Sequence, residues 1–163
     1  MAKIYAVANQ KGGVGKTSCC LNLGAALAEE GKAVLLVDLD PQAGLSTILR
    51  SRSDGPTIYE VLMGEAPLRE VIVETKVERV HLVPSKIDLV GVEVELRERE
   101  EVWQVALKRR LEGMKRSYDY ILIDCPPSLG VLTTNALVAA HQVIIPVQTE
   151  FLALVGLHQL NRV

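Results

Sequence analysis

One stretch narrows the folds open to this chain more than any other. The aliphatic run Ile4 to Ala8 leads through Asn9 and Gln10 into Lys11-Gly12-Gly13-Val14-Gly15-Lys16-Thr17, after which a helical pattern begins. Gly12, Gly13 and Gly15 carry no side chains, so the loop amides can curl closely around an anion. The helix after the loop would add the positive end of its dipole. Lys16 would bring a full charge to the β- and γ-phosphates of a nucleotide, and the Thr17 hydroxyl is a hard oxygen suited to Mg²⁺. With Val14 and Ser18, these residues make Lys11 to Ser18 the candidate nucleotide-binding segment. The common phosphate-loop pattern has a glycine five residues before Gly15. Gln10 stands there instead, followed by Lys11, so this loop carries an extra cation at its start.

The rest of the pattern is an alternation of strands and helices. Thr17 to Glu30 reads as a helix with Cys20, Leu23 and Leu27 along one face, and Gly31 sits where a left-handed C-terminal cap is needed. Val34 to Val37 is an unbroken aliphatic run ending in Asp38, as expected of a parallel strand covered on both sides. Arg50 to Thr57 reads as a loop and Ile58 to Met63 as a short helix ending near Gly64. Val80 to Val83 is a third strand, stopped by Pro84. Ile87 to Arg116 reads as one long helical region, with Glu93/Arg97, Glu95/Arg99 and Arg97/Glu101 spaced as helix ion pairs. Tyr120 to Ile123 is a fourth strand ending in Asp124, and Pro126 and Pro127 prevent its continuation. Val131 to Ala140 is helical in pattern, Val143 to Val147 gives a fifth strand, and Leu152 to Val163 begins another helix. This order predicts an α/β fold: a mostly parallel sheet with helices on both faces, its ligand site at the carboxyl ends of the strands.

Three aspartates fall at those ends. A bound triphosphate needs charge neutralisation and a positioned water. Asp124, at the tip of an aliphatic strand, is assigned to Mg²⁺, through a water because Mg²⁺ sheds water reluctantly. Alternation would put Asp38 and Asp40 on one side if their strand continued, so the pattern alone does not divide roles between them.

The segment Ala8 to Thr17 resembles the deviant phosphate loop of the ParA/MinD family of P-loop NTPases, and the ParA and Soj partitioning ATPases in particular. Val37-Asp38-Leu39-Asp40-Pro41-Gln42 and Ile123-Asp124-Cys125-Pro126-Pro127-Ser128 are similar to that family's acidic motifs. Leu82 to Ser85, Ile87 to Leu89 and Pro146 to Leu154 extend the likeness over essentially the whole chain. The resemblance implies a Mg²⁺-dependent ATPase in which Lys11, Lys16 and Asp40 are catalytic. Lys11 would reach the partner's phosphates across an ATP-dependent homodimer, and Asp40 would orient the hydrolytic water. It implies ATP and ADP as ligands, a ParB-like activator, a role in DNA partitioning and a cytoplasmic location without a membrane partner. Complete family members are longer, so residues 1–163 read as one domain incomplete on its C-terminal side. The basic residues that hold non-specific DNA in the full-length family, and much of the adenine pocket, would lie beyond it. An exposed apolar patch near Leu152 to Val163 is expected on the same ground. Two alternatives remain: a nucleotide-binding or dimerisation module without significant turnover, and a MinD-like positioning ATPase, against which Gln42 weighs modestly.

Composition points away from several other classes and leaves DNA binding without support from bulk charge. A net charge of −2 over 163 residues gives no nucleic-acid footprint. The longest apolar runs are of strand length, far below the ~20 residues of a membrane-spanning helix, and the residues before the first strand do not read as a secretory leader. Cys19, Cys20 and Cys125 have no spacing of a cluster or disulfide framework and read as small packing residues. His81, His141 and His158 read as ordinary positions. Aromatics are 4% of the chain, so the core must be aliphatic, and Trp103 is expected to pack on the long helix or at an interface.

Overall fold

The computed structural model describes residues 1–49 and 55–148. Among these, six strands form one sheet: β1 (Lys3–Val7), β2 (Val34–Asp38), β3 (Val73–Glu74), β4 (Val80–Val83), β5 (Tyr120–Asp124) and β6 (Gln142–Ile144). Their order is β3-β4-β2-β5-β1-β6, and every pairing is parallel except that of β3 with β4. The α/β class expected from the sequence is therefore present.

Strand alternation divides the core into two layers. Val34, Leu36, Leu82 and Leu122 face helix α1 (Lys16–Glu29), while Leu35, Val37, Ile121 and Ile123 face the opposite layer. That layer contains α3 (Ile58–Met63), α4 (Leu68–Val71), α5 (Val92–Arg99), α6 (Ala106–Leu111) and α7 (Val131–Ala139). A short helix, α2 (Gly44–Ile48), packs beside α1. No helix among the described residues is long and apolar enough to cross a membrane.

Several expectations need correction. The buried stripe of α1 is Lys16, Cys20, Gly24 and Ala28; Leu23 and Leu27 flank it, partly buried. Small residues lie innermost because the helix presses close to the sheet: a Cβ on Gly24 would sit 2.9 Å from Leu36 Cδ2. Gly31 does take the left-handed form (φ 75°), and its N–H and that of Lys32 donate to Ala28 and Leu27, closing the helix.

The long helix expected over 87–116 is broken. Residues Ile87–Gly91, Trp103–Val105 and Glu112–Met114 are 3₁₀ turns around α5 and α6, and Glu100 is extended between them. Two side-chain bonds hold the break, one from within the segment and one from α7. Glu100 accepts from Arg110 at 2.8 Å, and the Asn135 amide oxygen of α7 accepts the Leu107 N–H at 3.1 Å, satisfying a donor at the start of α6. The Glu95–Arg99 pair is present, at 4.0 Å. Arg97 instead lies over the partly buried Trp103 ring, 5.0 Å from its centre. The strand expected over 143–147 ends at Ile144, since Pro146 offers no N–H to a ladder. The patch expected at Leu152 to Val163 lies outside the described residues.

Candidate functional site

The register brings the candidate residues to one edge. Val7 of β1 pairs with Asp124 of β5, and Asp124 pairs with Asp38 of β2. The phosphate loop therefore leaves β1 beside both strand-tip acids. Gly13 (φ 73°) and Gly15 (φ 89°) hold left-handed conformations that a Cβ would disfavour, and open space surrounds both. Gly15 is the N-cap of α1, no side chain caps it, and the first turn holds no acid. The amides and the positive helix end thus face a cleft of about 310 Å³, lined by Gly12, Gly13, Gly15, Lys16, Thr17, Ser18, Asp40 and Pro127. Val14 sits half-buried within the same loop.

The two lysines differ. Lys16 is buried at the base of the loop, its Nζ 3.4 Å from the Lys11 carbonyl. Lys11 lies at the loop's entrance, its Nζ donating to Gln148 Oε1 at 2.9 Å. Asn9 ties the entrance down: its Oδ1 accepts the Lys11 N–H at 3.0 Å and its Nδ2 donates to the Pro146 carbonyl at 2.8 Å. Sequence reasoning gave Asn9 no role. The available signal was an asparagine two residues before the loop, where its side chain can close an Asx turn.

The aspartates separate by environment. Asp38 is fully buried, and its carboxylate accepts from the Asp40 N–H (3.1 Å), the Ser46 N–H (2.9 Å) and the Ser46 hydroxyl (2.7 Å). Burial raises its pKa, and the hydrogen bonds from Ser46 and Asp40 oppose that rise. Asp40 lies past the strand end, lines the cleft, and spends one oxygen on the Gln42 N–H at 2.9 Å. The pattern had left these two acids undivided; the structure turns one inward and one toward the cleft.

Asp124 is also buried, yet among the described residues neither carboxylate oxygen completes a hydrogen bond. Desolvation pushes its carboxyl up to about 7. The neighbouring Thr17 hydroxyl and Lys16 pull the other way, the hydroxyl without reaching full hydrogen-bond geometry. Two unmet buried oxygens beside a threonine hydroxyl fit a hard divalent cation. Among the described residues no three His, Cys, Asp or Glu side chains cluster as a metal cage. The Thr17 and Asp124 oxygens are a donor set that suits Mg²⁺, which is commonly held by one or two protein oxygens, waters and substrate phosphates. Cys20 and Cys125 are fully buried near Asp124, and burial keeps both thiols protonated, above their ordinary range.

A family model described as an AAA domain matches residues 2–163. The chain is 51% identical over 167 residues to the sporulation initiation inhibitor protein Soj of Bacillus subtilis, covering 98% of this chain and 64% of that protein. It is 48% identical over 164 residues to the chromosome partitioning protein ParA of Caulobacter vibrioides, covering 98% and 61%. The chain thus spans somewhat less than two thirds of the length of these relatives. Among solved structures, cobyrinic acid a,c-diamide synthase from Mycobacterium smegmatis with bound ATP analogue and magnesium superposes with a TM-score of 0.93 at 45% identity. That match covers 99% of this chain and 66% of the other. The same protein is also known with bound ADP and magnesium.

Proposed function

The chain belongs to the ParA/Soj family of AAA-domain proteins, and from that premise we propose that it binds and hydrolyses Mg·ATP as a switch in DNA partitioning. The observation that carries this reading is the cleft lined by the open loop, Lys16, Thr17 and Asp40, with the Asp124 carboxylate buried behind it beside Thr17 and unsatisfied among the described residues.

In this reading residues 1–163 act as one nucleotide-binding domain. Loop amides from Lys11 to Ser18 cradle the phosphates, and Lys16 stabilises the charge that builds on them during transfer. Thr17 and Asp124 would hold Mg²⁺, which when bound neutralises phosphate charge. Asp40 orients the attacking water along the line of the bond that breaks, between the γ-phosphorus and the bridging oxygen. Lys11, at the rim, serves the phosphates of a second copy, so that ATP favours a homodimer. A ParB-like activator would speed hydrolysis, and ADP would release the dimer. A cytoplasmic setting and contact with non-specific DNA are expected of the longer form of the family.

Calorimetric titration of ATP and ADP with Mg²⁺, paired with phosphate release, tests the reading. Mg²⁺-dependent binding is expected, lost in Lys16→Ala. Asp40→Ala is expected to keep binding and lose turnover. Binding with phosphate release at background would reduce the chain to a nucleotide-binding module. Absence of binding would remove both functions.

A further inference from the structure

Asp40 lies two residues beyond the end of β2, where a backbone would ordinarily be free to sway. It is instead held on both sides. Its N–H donates to Asp38 Oδ1 at 3.1 Å, and its carbonyl accepts the Ser85 hydroxyl at 2.8 Å. The Ser85 N–H donates to the Ser46 hydroxyl at 2.9 Å, which donates to Asp38 Oδ2 at 2.7 Å. The bonds form a closed ring through Asp38, Asp40, Ser85 and Ser46. Asp38, Ser46 and Ser85 are all buried, at 0%, 4% and 4% exposure, so the bonds among these three are shielded from water, and the two to half-buried Asp40 are partly so.

The turn this ring supports is a demanding one. The Ala43 N–H closes back onto the Asp40 carbonyl at 2.8 Å, and Ala43 adopts φ 52°, a conformation that a residue with a Cβ resists. Such a turn needs an outside hold to persist. With one Asp40 oxygen already committed to Gln42, the direction of the other is set by the main chain that Ser85 grips. Ser85 itself comes from the tip of β4, on the far side of β2 from the phosphate loop, and does not line the cleft.

We propose that Ser85 is a positioning residue for Asp40, its hydroxyl fixing the Asp40 main chain so that the second carboxylate oxygen is aimed at the nucleotide cleft. The inference rests on the reading of Asp40 as the residue that orients the attacking water. Ser46 completes the device by fixing Ser85 from behind.

The test compares Ser85→Ala, Ser85→Thr and Asp40→Ala in the full chain. Amide hydrogen exchange at Gln42 and Ala43 is measured without nucleotide, and kcat and ATP affinity are measured with Mg²⁺. Ser85→Ala should speed exchange at Gln42 and Ala43 about tenfold, as the loss of one net hydrogen bond implies. It should lower kcat by a similar factor while leaving ATP affinity within about twofold, since the phosphate grip is untouched. Ser85→Thr, which keeps the hydroxyl, should restore both. Thr75→Val is a control for general destabilisation: it removes a hydroxyl bonded to Val80 at the other end of β4. An equal loss of turnover there would overturn the proposal. So would unchanged exchange at Gln42 and Ala43 in Ser85→Ala, or wild-type kcat in that variant when Asp40→Ala is inactive. Wild-type turnover in Asp40→Ala would instead remove the parent reading, whatever Ser85 does.

Discussion

The tips of β2 and β5 lie side by side in register, and each ends in a buried aspartate. At Asp38 every nearby donor has been recruited: two backbone N–H groups and a serine hydroxyl. At Asp124 neither oxygen is satisfied among the described residues, and the carboxyl is pushed up to about 7. The same residue type, at the same depth and one strand apart, is a fastening in one case and a pair of unmet acceptors in the other. The difference lies in the chain just past each strand. Beyond β2 it curls back through α2 and supplies donors. Beyond β5 it is carried away by Pro126 and Pro127, which have no N–H to offer.

Substitutions at the two tips should therefore move stability in opposite directions. The largest effect is expected for Asp38→Ala, which strands three donors in the interior and should cost roughly 3–5 kcal/mol by denaturant unfolding. Asp124→Asn should stabilise the nucleotide-free chain at pH 8 by roughly 1–2 kcal/mol. Removing the whole penalty of the raised pKa would give about 4 kcal/mol, but the amide inherits the unmet hydrogen bonds. A destabilised Asp124→Asn would break the contrast.

The pH dependence is set by the sign of that shift. Between about pH 4 and 7 the folded chain holds a proton on Asp124 that the unfolded chain has lost. Stability should therefore fall across that window as pH rises and level off above it. Asp124→Asn should flatten the slope, leaving the part due to Asp38, whose pKa is also raised. Thr57→Ala sharpens the comparison from outside. It breaks the capping box of α3 and should cost about 1 kcal/mol near neutral pH, leaving the slope approaching pH 7 unchanged; the loss shrinks only in acid, where Glu60, held below its usual range against burial in part by Thr57, takes up its proton. Smallest is Gly24→Ala, where overpacking against Leu36 of about 1–3 kcal/mol is offset by about 1 kcal/mol of helix propensity. A net loss of roughly 1 kcal/mol or less in a thermal melt is expected.

How much of this could be read from the chain depended on whether the cause was local. The phosphate loop, the strand tips and the cap at Gly31 were legible because contiguous residues determine them. The break at Glu100 was not, because it is held by a pairing with Arg110 ten residues on and by Asn135 of α7, neither of which a local periodic pattern shows. The inner stripe of α1 contains Cys20 as expected but not Leu23 or Leu27, for a related reason: periodicity favours leucines, whereas a helix pressed onto a sheet selects the residues with least bulk. Two-residue β3 and four-residue α4 are too short to leave a periodic signal. At the site, the positions of Lys16 and Asp124 stem from motif and strand, but nothing local marks Ser46 as a clamp, and the likeness at Leu82 to Ser85 assigns Ser85 no role. A serine after a strand becomes a clamp only when another strand tip arrives beside it.

Gly24 and Lys16 share the inward stripe of α1, eight residues apart, or about 12 Å along the axis. The side chain that brings a cation to the base of the cleft thus shares its seat on the sheet with a position where a missing methyl permits the close approach to Leu36.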